Sequence, residues 1–268
     1  MDETPVPNSE FTFISPREQY FPFPYNYMEY ILKNPFSPQG LEKLYQTCKY
    51  FYSKYQILIF LNETHYNGEK YLLQRNPVNR KPKVIDAKLW FCDSLTIHQL
   101  SHFRLEKIYR CSITALTILE TTLTLNEFNF LVNENRIKSF DFSGSSAEYP
   151  DGKNVPIDEI LKKVPNIYRF WYSNAKEIFD VEILRKLNEV QLNTKLEFCS
   201  LWLWSVDYSF DPLLLCRFVE KNAKRASCFQ FTVKGRENGE VAKSLKEPVD
   251  NLLKTWKNGT IFVKIFLR

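Results

Sequence analysis

The sequence predicts an α/β fold: a short helical N-terminus, then a long train of strand–helix units. Three observations predict it. Before residue 55, apolar residues recur at helical spacing. From about residue 86, short β-like runs alternate with amphipathic helical segments. The later strands also recur at a near-constant interval: alignment on Phe140, Phe170, Phe198 and Gln230 gives steps of 30, 28 and 32 residues.

The elements follow in order. Residues 1–20 are polar, carry Pro5, Pro7 and Pro16, and read as a disordered lead-in. Residues 21–55 read as a helical motif. Tyr27, Met28, Ile31 and Leu32 share one helical face, Asn34-Pro35-Phe36-Ser37-Pro38 stops that helix, and Leu41, Leu44, Tyr45, Cys48 and Phe51 line a second. Residues 56–268 read as one α/β domain. Ile57–Phe60 is a buried strand, with Asn67-Gly68 as a hairpin turn leading to Tyr71–Leu73. Arg75 to Lys83 is a basic, Pro-interrupted loop. Further strands are expected at Lys88–Cys92, Leu105–Tyr109, Ala115–Leu119, Ile137–Phe142, Ile167–Tyr172, Leu196–Leu201, Cys228–Val233 and Ile261–Leu267. Helices are expected at Leu125–Val132, Ile157–Val164, Val181–Val190, Pro212–Asn222 and Leu245–Trp256. Asp158 and Asp211-Pro212 suit helix starts, and Pro165 ends one.

A strand–helix unit of about 30 residues points to an irregular leucine-rich-repeat-like solenoid, in which each unit exposes an apolar face that its neighbour covers. Ile137-Lys138-Ser139-Phe140-Asp141-Phe142 keeps the alternation, with Phe in place of Leu. A doubly wound α/β sheet would alternate similarly, but no Gly-rich phosphate loop is present to accompany one.

Composition sets outer bounds. The chain has 268 residues, 44% of them hydrophobic, 25% charged and only 7 glycine, which excludes collagen-like and wholly disordered classes. No apolar run reaches the roughly 18 residues of a spanning helix. The net charge of +5 is too small to suggest a dedicated nucleic-acid binder. Six cysteines without a CxxC pair lie mostly in apolar runs and read as buried free thiols. With no signal peptide at the N-terminus, the expected compartment is reducing and cytoplasmic; Arg75, Arg80, Lys81 and Lys83 read first as a solvated loop, with a weak nuclear-import patch or a phosphate contact as the alternatives. Neither nucleic acid nor membrane is an expected partner.

The segment Phe23-Pro24-Tyr25-Asn26-Tyr27-Met28-Glu29-Tyr30-Ile31-Leu32, followed by Leu41-Glu42-Lys43-Leu44-Tyr45-Gln46-Thr47-Cys48-Lys49-Tyr50-Phe51, resembles an F-box. Phe23-Pro24 stands for the family's Leu-Pro start, and Thr47-Cys48-Lys49-Tyr50-Phe51 for its ending, with Phe51 in the Trp place. The likeness is to divergent nematode-type F-box proteins with repeat-like C-terminal halves, and it covers about 30 residues. It implies that Pro24, Met28, Ile31, Leu32, Leu41, Leu44, Cys48 and Phe51 pack on a Skp-type adaptor, which links to a cullin–RING ubiquitin ligase. The chain would then recruit a target protein through its repeat surface. A pure capping role for the helices, sealing the open end of the solenoid, stands beside this reading. So does a repeat-type scaffold without ligase coupling.

Catalytic chemistry finds little support. His98 and His102 have an i, i+4 spacing flanked by Cys92 and Cys111, but not a standard zinc-finger spacing. Ser143-Gly144-Ser145-Ser146 lacks the G-x-S-x-G elbow. A Cys92–His98 dyad would have to be forced. The expectation is a non-enzymatic protein without metal or cofactor. Trp171, in Phe170-Trp171-Tyr172, and the pair Trp202 and Trp204 read either as anchors for a target protein or as core.

Overall fold

The structure is a computed structural model that describes residues 24–47, 51–52, 56–61, 64–66, 71–73, 88–99, 105–234, 239–255 and 260–266. Two helices come first, α1 (Tyr25–Lys33) and α2 (Pro38–Thr47). Then follow β1 (Ile57–Phe60), β2 (Thr64–Tyr66), β3 (Tyr71–Leu73), β4 (Lys88–His98), β5 (Ile108–Leu119), β6 (Thr122–Thr124), α3 (Leu125–Val132), β7 (Ser139–Ser143), β8 (Ser146–Glu148), α4 (Ile157–Lys162), β9 (Arg169–Ser173) and β10 (Ile178–Phe179). The chain continues through α5 (Val181–Glu189), β11 (Leu196–Leu203), β12 (Ser205–Val206), α6 (Pro212–Asn222), β13 (Ala223–Lys234), α7 (Gly239–Thr255) and β14 (Thr260–Phe266).

These elements form an α/β fold around a ten-stranded sheet of order β14-β13-β11-β9-β7-β5-β4-β2-β3, with β1 also paired to β4. Every pairing is parallel except the β2–β3 hairpin. From β4 to β14 each new long strand adds beside the last, so the strand order never reverses. Two short parallel ladders, β6–β8 and β10–β12, run alongside. They lie where consecutive units leave the main sheet and turn toward their helices.

One register row explains the core. Leu95, Leu116, Phe140, Phe170, Cys199, Phe229 and Ile261 are successive partners. Ile97, Ile118, Phe142, Tyr172, Leu201 and Phe231 form the next inward row and, with Leu95, Leu116, Phe140, Phe170, Cys199 and Phe229 of the first, are buried. Phe140 stacks on Phe170 at 5.9 Å and Phe142 on Tyr172 at 6.1 Å, with Phe128 of α3 against Phe140 and Phe142. All five helices α3–α7 send buried apolar residues into this same cluster, including Leu131, Ile160, Leu187, Phe218 and Leu245.

The caps show why the helices start where they do. Thr124 and Glu127 form a reciprocal capping box on α3. Asp180 accepts from Ile183 N at 2.7 Å to open α5, and Asp211 accepts from Leu213 N at 2.9 Å to open α6. Pro156 opens α4 without a side-chain cap. The acceptor there is Glu177 from the following unit, whose Oε1 takes the Ile157 N–H at 3.2 Å. At the opposite turns, Asn166 Nδ2 donates to Asn135 O and Asn193 Nδ2 to Asn166 Oδ1, which links successive units side by side.

Several expectations need correction. The runs Leu105–Tyr109 and Ala115–Leu119 are not two strands: Leu105–Lys107 is a 3-10 turn and β5 is continuous from Ile108. The hairpin partner of β3 is β2, while Ile57–Phe60 pairs with β4 in parallel. α7 begins at Gly239 rather than Leu245. The equivalent of Phe140 and Phe170 in the next strands is Cys199 and then Phe229, so the steps are 30, 29 and 30 residues. Alignment on Phe198 and Gln230 slipped by one, and a one-residue slip transfers a side chain to the other face. Residues 1–20, Asn67-Gly68, the Arg75–Lys83 loop and His102 lie outside the described residues.

Candidate interaction face

The residues that alternate with the core rows face away from α3–α7. In register they run Ser94, Ala115, Ser139, Arg169, Phe198, Cys228; then Thr96, Thr117, Asp141, Trp171, Ser200, Gln230; then His98, Leu119, Ser143, Ser173, Trp202, Thr232. Small polar side chains dominate, and aromatic ones concentrate on β9 and β11. Trp171 packs on Phe198 with ring centroids 4.7 Å apart, and Trp202 lies 5.8 Å from Trp204. The Trp204 indole N–H donates to Ser173 Oγ at 2.6 Å. Trp171, Trp202 and Trp204 are all half-buried. The core reading of these tryptophans is therefore corrected: alternation places them opposite Phe170, Leu201 and Leu203, which are the fully buried ones. Phe198 also lies on this face: its bulk suits a core position, but Cys199 is the residue in register with Phe170.

Asp141 sits in the middle of this face. Burial pushes its carboxyl up from the ordinary value, against the opposing hydrogen bond donated by the Ser143 hydroxyl. On the other side of the sheet, Glu177 is buried and accepts from Tyr172 Oη at 2.6 Å, Asn154 Nδ2 at 3.2 Å and Ile157 N. Burial raises its carboxyl too, and these donors offset part of that rise.

At the β4 end the two N-terminal helices cover the face. Met28, Leu32, Leu41 and Phe51 are buried with Ile57, Trp90 and Cys92, and Leu44 and Tyr45 pack on that cluster. Tyr109 Oη donates to Lys33 O at 2.6 Å and pins the end of α1. The inward face of the helix pair is thus occupied by the chain's own strands. Its outward side carries Tyr25, Tyr27, Tyr30 at 67% exposure, Ile31 at 42% and a fully exposed Phe36. Of the residues that the F-box likeness singles out, Pro24 and Ile31 are exposed, Leu44 is half-buried, and Met28, Leu32, Leu41 and Phe51 are buried; Cys48 lies outside the described residues.

The nucleophile and metal candidates do not converge. Cys92 belongs to the cluster under α1 and α2, whereas Cys111 belongs to the core beneath α3–α7, on the other side of the sheet. Burial pushes the Cys92 thiol up to about 12 and raises Cys111 further. His98 is exposed at the end of β4, 3.9 Å from Glu120. Among the described residues, no group of three or more His, Cys, Asp or Glu side chains could hold a metal ion, and no helix is long and apolar enough to cross a membrane. No protein-family model, curated protein or solved structure matches the chain.

Proposed function

We propose that the chain is a substrate-recruiting adaptor subunit of a Skp–cullin–F-box ubiquitin ligase. In this reading the sheet, built in chain order with helices on one side, is an irregular leucine-rich-repeat-like solenoid. Its helix-free face holds a target protein, with Trp171, Trp202, Trp204 and Phe198 as anchors. The N-terminal helices hold the Skp-type adaptor. The observation that carries the reading is the two-sided character of α1. One side is buried against β4, and the other leaves Tyr27, Tyr30 and Ile31 exposed at i, i+3, i+4 spacing beside Phe36. A contiguous exposed apolar stripe on a helix suits a partner groove. The adaptor contacts accordingly centre on Pro24, Tyr27, Tyr30, Ile31 and Phe36, while Met28, Leu32, Leu41 and Phe51 fasten the helices to the sheet.

The second reading is a protein-interaction scaffold without ligase coupling. It is favoured by the burial of Met28, Leu32, Leu41 and Phe51 within the chain, which is what a capping element needs. Co-expression with a Skp-type adaptor followed by size-exclusion chromatography separates the two. A 1:1 complex that Ile31→Asp with Tyr27→Ser disrupts, in a protein that stays folded, supports the ligase subunit. A folded monomer that ignores the adaptor supports the scaffold.

A further inference from the structure

Where α2 meets the face opposite α3–α7, the structure forms a half-open cleft of about 390 Å³. Its walls come from three places: Phe36–Gln39 at the start of α2, Trp90, Cys92 and Asp93 on β4 with Arg110, Ser112 and Thr114 on β5, and Arg136 on the approach to β7. This volume lies at the small end of the range for ligand sites. The β4–β5 register shifts at Asp93/Ser94, and Asp93 adopts φ 73°, a left-handed conformation that is strained for a non-glycine residue. Such bulges occur preferentially beside functional sites.

The polar groups around the cavity are unequally engaged. Arg110 lies 5.1 Å from the Trp90 ring centroid and pairs with Glu134, so its charge is met. Arg136 makes one ion pair among the described residues, with Glu134 at 3.8 Å, a contact too long for a hydrogen bond. Ser112 is 4% exposed and its oxygen accepts from Trp90 Nε1 at 2.9 Å; no described acceptor takes its own hydroxyl proton. A buried hydroxyl donor and a guanidinium with open donors thus line one cavity. Both favour an oxyanion. Asp93, exposed at the rim, is an acceptor without an ion pair among the described residues. Lys138 and Arg169, exposed at the entries to β7 and β9, continue the positive edge toward Trp171. Trp171 stands two strands from the Arg110 strand, ~10 Å across the sheet, and its row meets that strand at Thr117, five residues beyond Ser112, which places it ~18 Å from the cavity.

We propose that this cavity is the acid-reading subsite of the target-binding face. It takes the carboxylate of an Asp or Glu side chain in a target segment, held by Arg136 and Ser112. Asp93 accepts a backbone N–H of the same segment, and an apolar residue about five positions along the segment, the reach of ~18 Å in an extended chain, lies on Trp171 and Phe198. The inference rests on the target-binding reading of this face, and it adds the partner's chemistry: an acidic residue with an apolar one about five positions away in an extended segment.

The test pans a random dodecapeptide library against the full chain. Selected peptides are resynthesised with fluorescein in three forms, bearing the acidic residue, its amide counterpart, or phosphoserine. Fluorescence polarisation is expected to show that the amide form binds about tenfold more weakly. Arg136→Gln should weaken the acidic form by a similar factor and leave the amide form unchanged. Trp171→Ala should weaken both forms alike. A phosphoserine form that outbinds the acidic one upholds the subsite and names the phosphorylated side chain as its occupant. Equal binding of acidic and amide forms, with Trp171→Ala still damaging, overturns the subsite and leaves the target-binding reading standing. A library without any binder sensitive to Trp171→Ala overturns both. Arg136 is exposed, so a matching urea midpoint for its variant shows that a loss of binding is not a loss of fold.

Discussion

On the helix-covered side of the sheet, the row Leu116, Phe140, Phe170, Cys199 and Phe229 is buried in every strand. One residue along, Thr117, Asp141, Trp171, Ser200 and Gln230 mix small, charged and aromatic side chains, most of them half-buried. The same backbone carries both rows, and neighbouring strands are equally well paired on both. The difference lies in what each side must meet. A side closed by five helices has to exclude water and fill space, so large apolar residues stack at about 6 Å. Beyond α1 and α2 the opposite side has no such cover among the described residues and needs no volume match, and its described aromatic side chains there gather on β9 and β11. Large side chains kept at a half-exposed position therefore mark an interface more clearly than those in the core.

The comparison breaks most sharply on adjacent residues of β9. Phe170→Ala should cost about 3–5 kcal/mol in urea unfolding, because a fully enclosed ring leaves a cavity. Trp171→Ala should cost about 1 kcal/mol, although it removes the larger side chain. If the two losses are equal, the faces do not differ as described.

Glu177 probes the covered side further. Glu177→Ala strands the Tyr172 hydroxyl, the Asn154 amide and the first amide of α4, and should cost about 2–3 kcal/mol. Its pH dependence has a definite sign. Burial makes the folded chain hold this proton more tightly than the unfolded chain does, so the folded state binds more protons above the ordinary value of 4.5. Stability contributed by this group falls as pH rises through that window and levels off beyond the folded pKa. Glu177→Gln should flatten that part of the wild-type urea-midpoint profile. An unchanged slope would show that Glu177 does not titrate in the fold as its burial requires.

On the helix-free side the expected energies are smaller. Trp204→Phe removes the indole donor to Ser173 and trims the ring that packs on Trp202, and should cost about 1 kcal/mol. The thiols sharpen the contrast chemically. Cys92, pushed up to about 12, and Cys216, pushed up to about 11, are buried, as are Cys111 and Cys199. Cys228 is half-buried on the helix-free side. Iodoacetamide at about pH 8 should label Cys228 ahead of those four, as read by peptide mass spectrometry, and all should react in urea.

Much of this was legible beforehand. Helical periodicity located α1, α2 and the five later helices, and Asp-Pro before Leu213 marked a start that the structure keeps. The strand positions were legible because apolar runs of this length are bounded by turns. The face assignment of β11 was not. In Leu196-Glu197-Phe198-Cys199, the bulky Phe looks like the core residue, yet the small Cys199 fills that place and Phe198 covers Trp171. The continuity of β5 was hidden by Arg110, Ser112 and Thr114, polar residues that suit a cavity wall and read as a break.

The sequence alone determined the class of the fold, the number and order of its later units, and the apolar stripes that need covering. Those properties are local, set by periodicities of 3.6 and 2 and by caps within a few residues. Tertiary structure alone decided which stripe is covered and by what. The inward side of α1 and α2 closes on Trp90 and Cys92, more than 40 residues downstream of α2, and Arg136 meets the start of α2 across about 100 residues. Such pairings depend on strand register and on where a helix lands, and no local pattern carries that information.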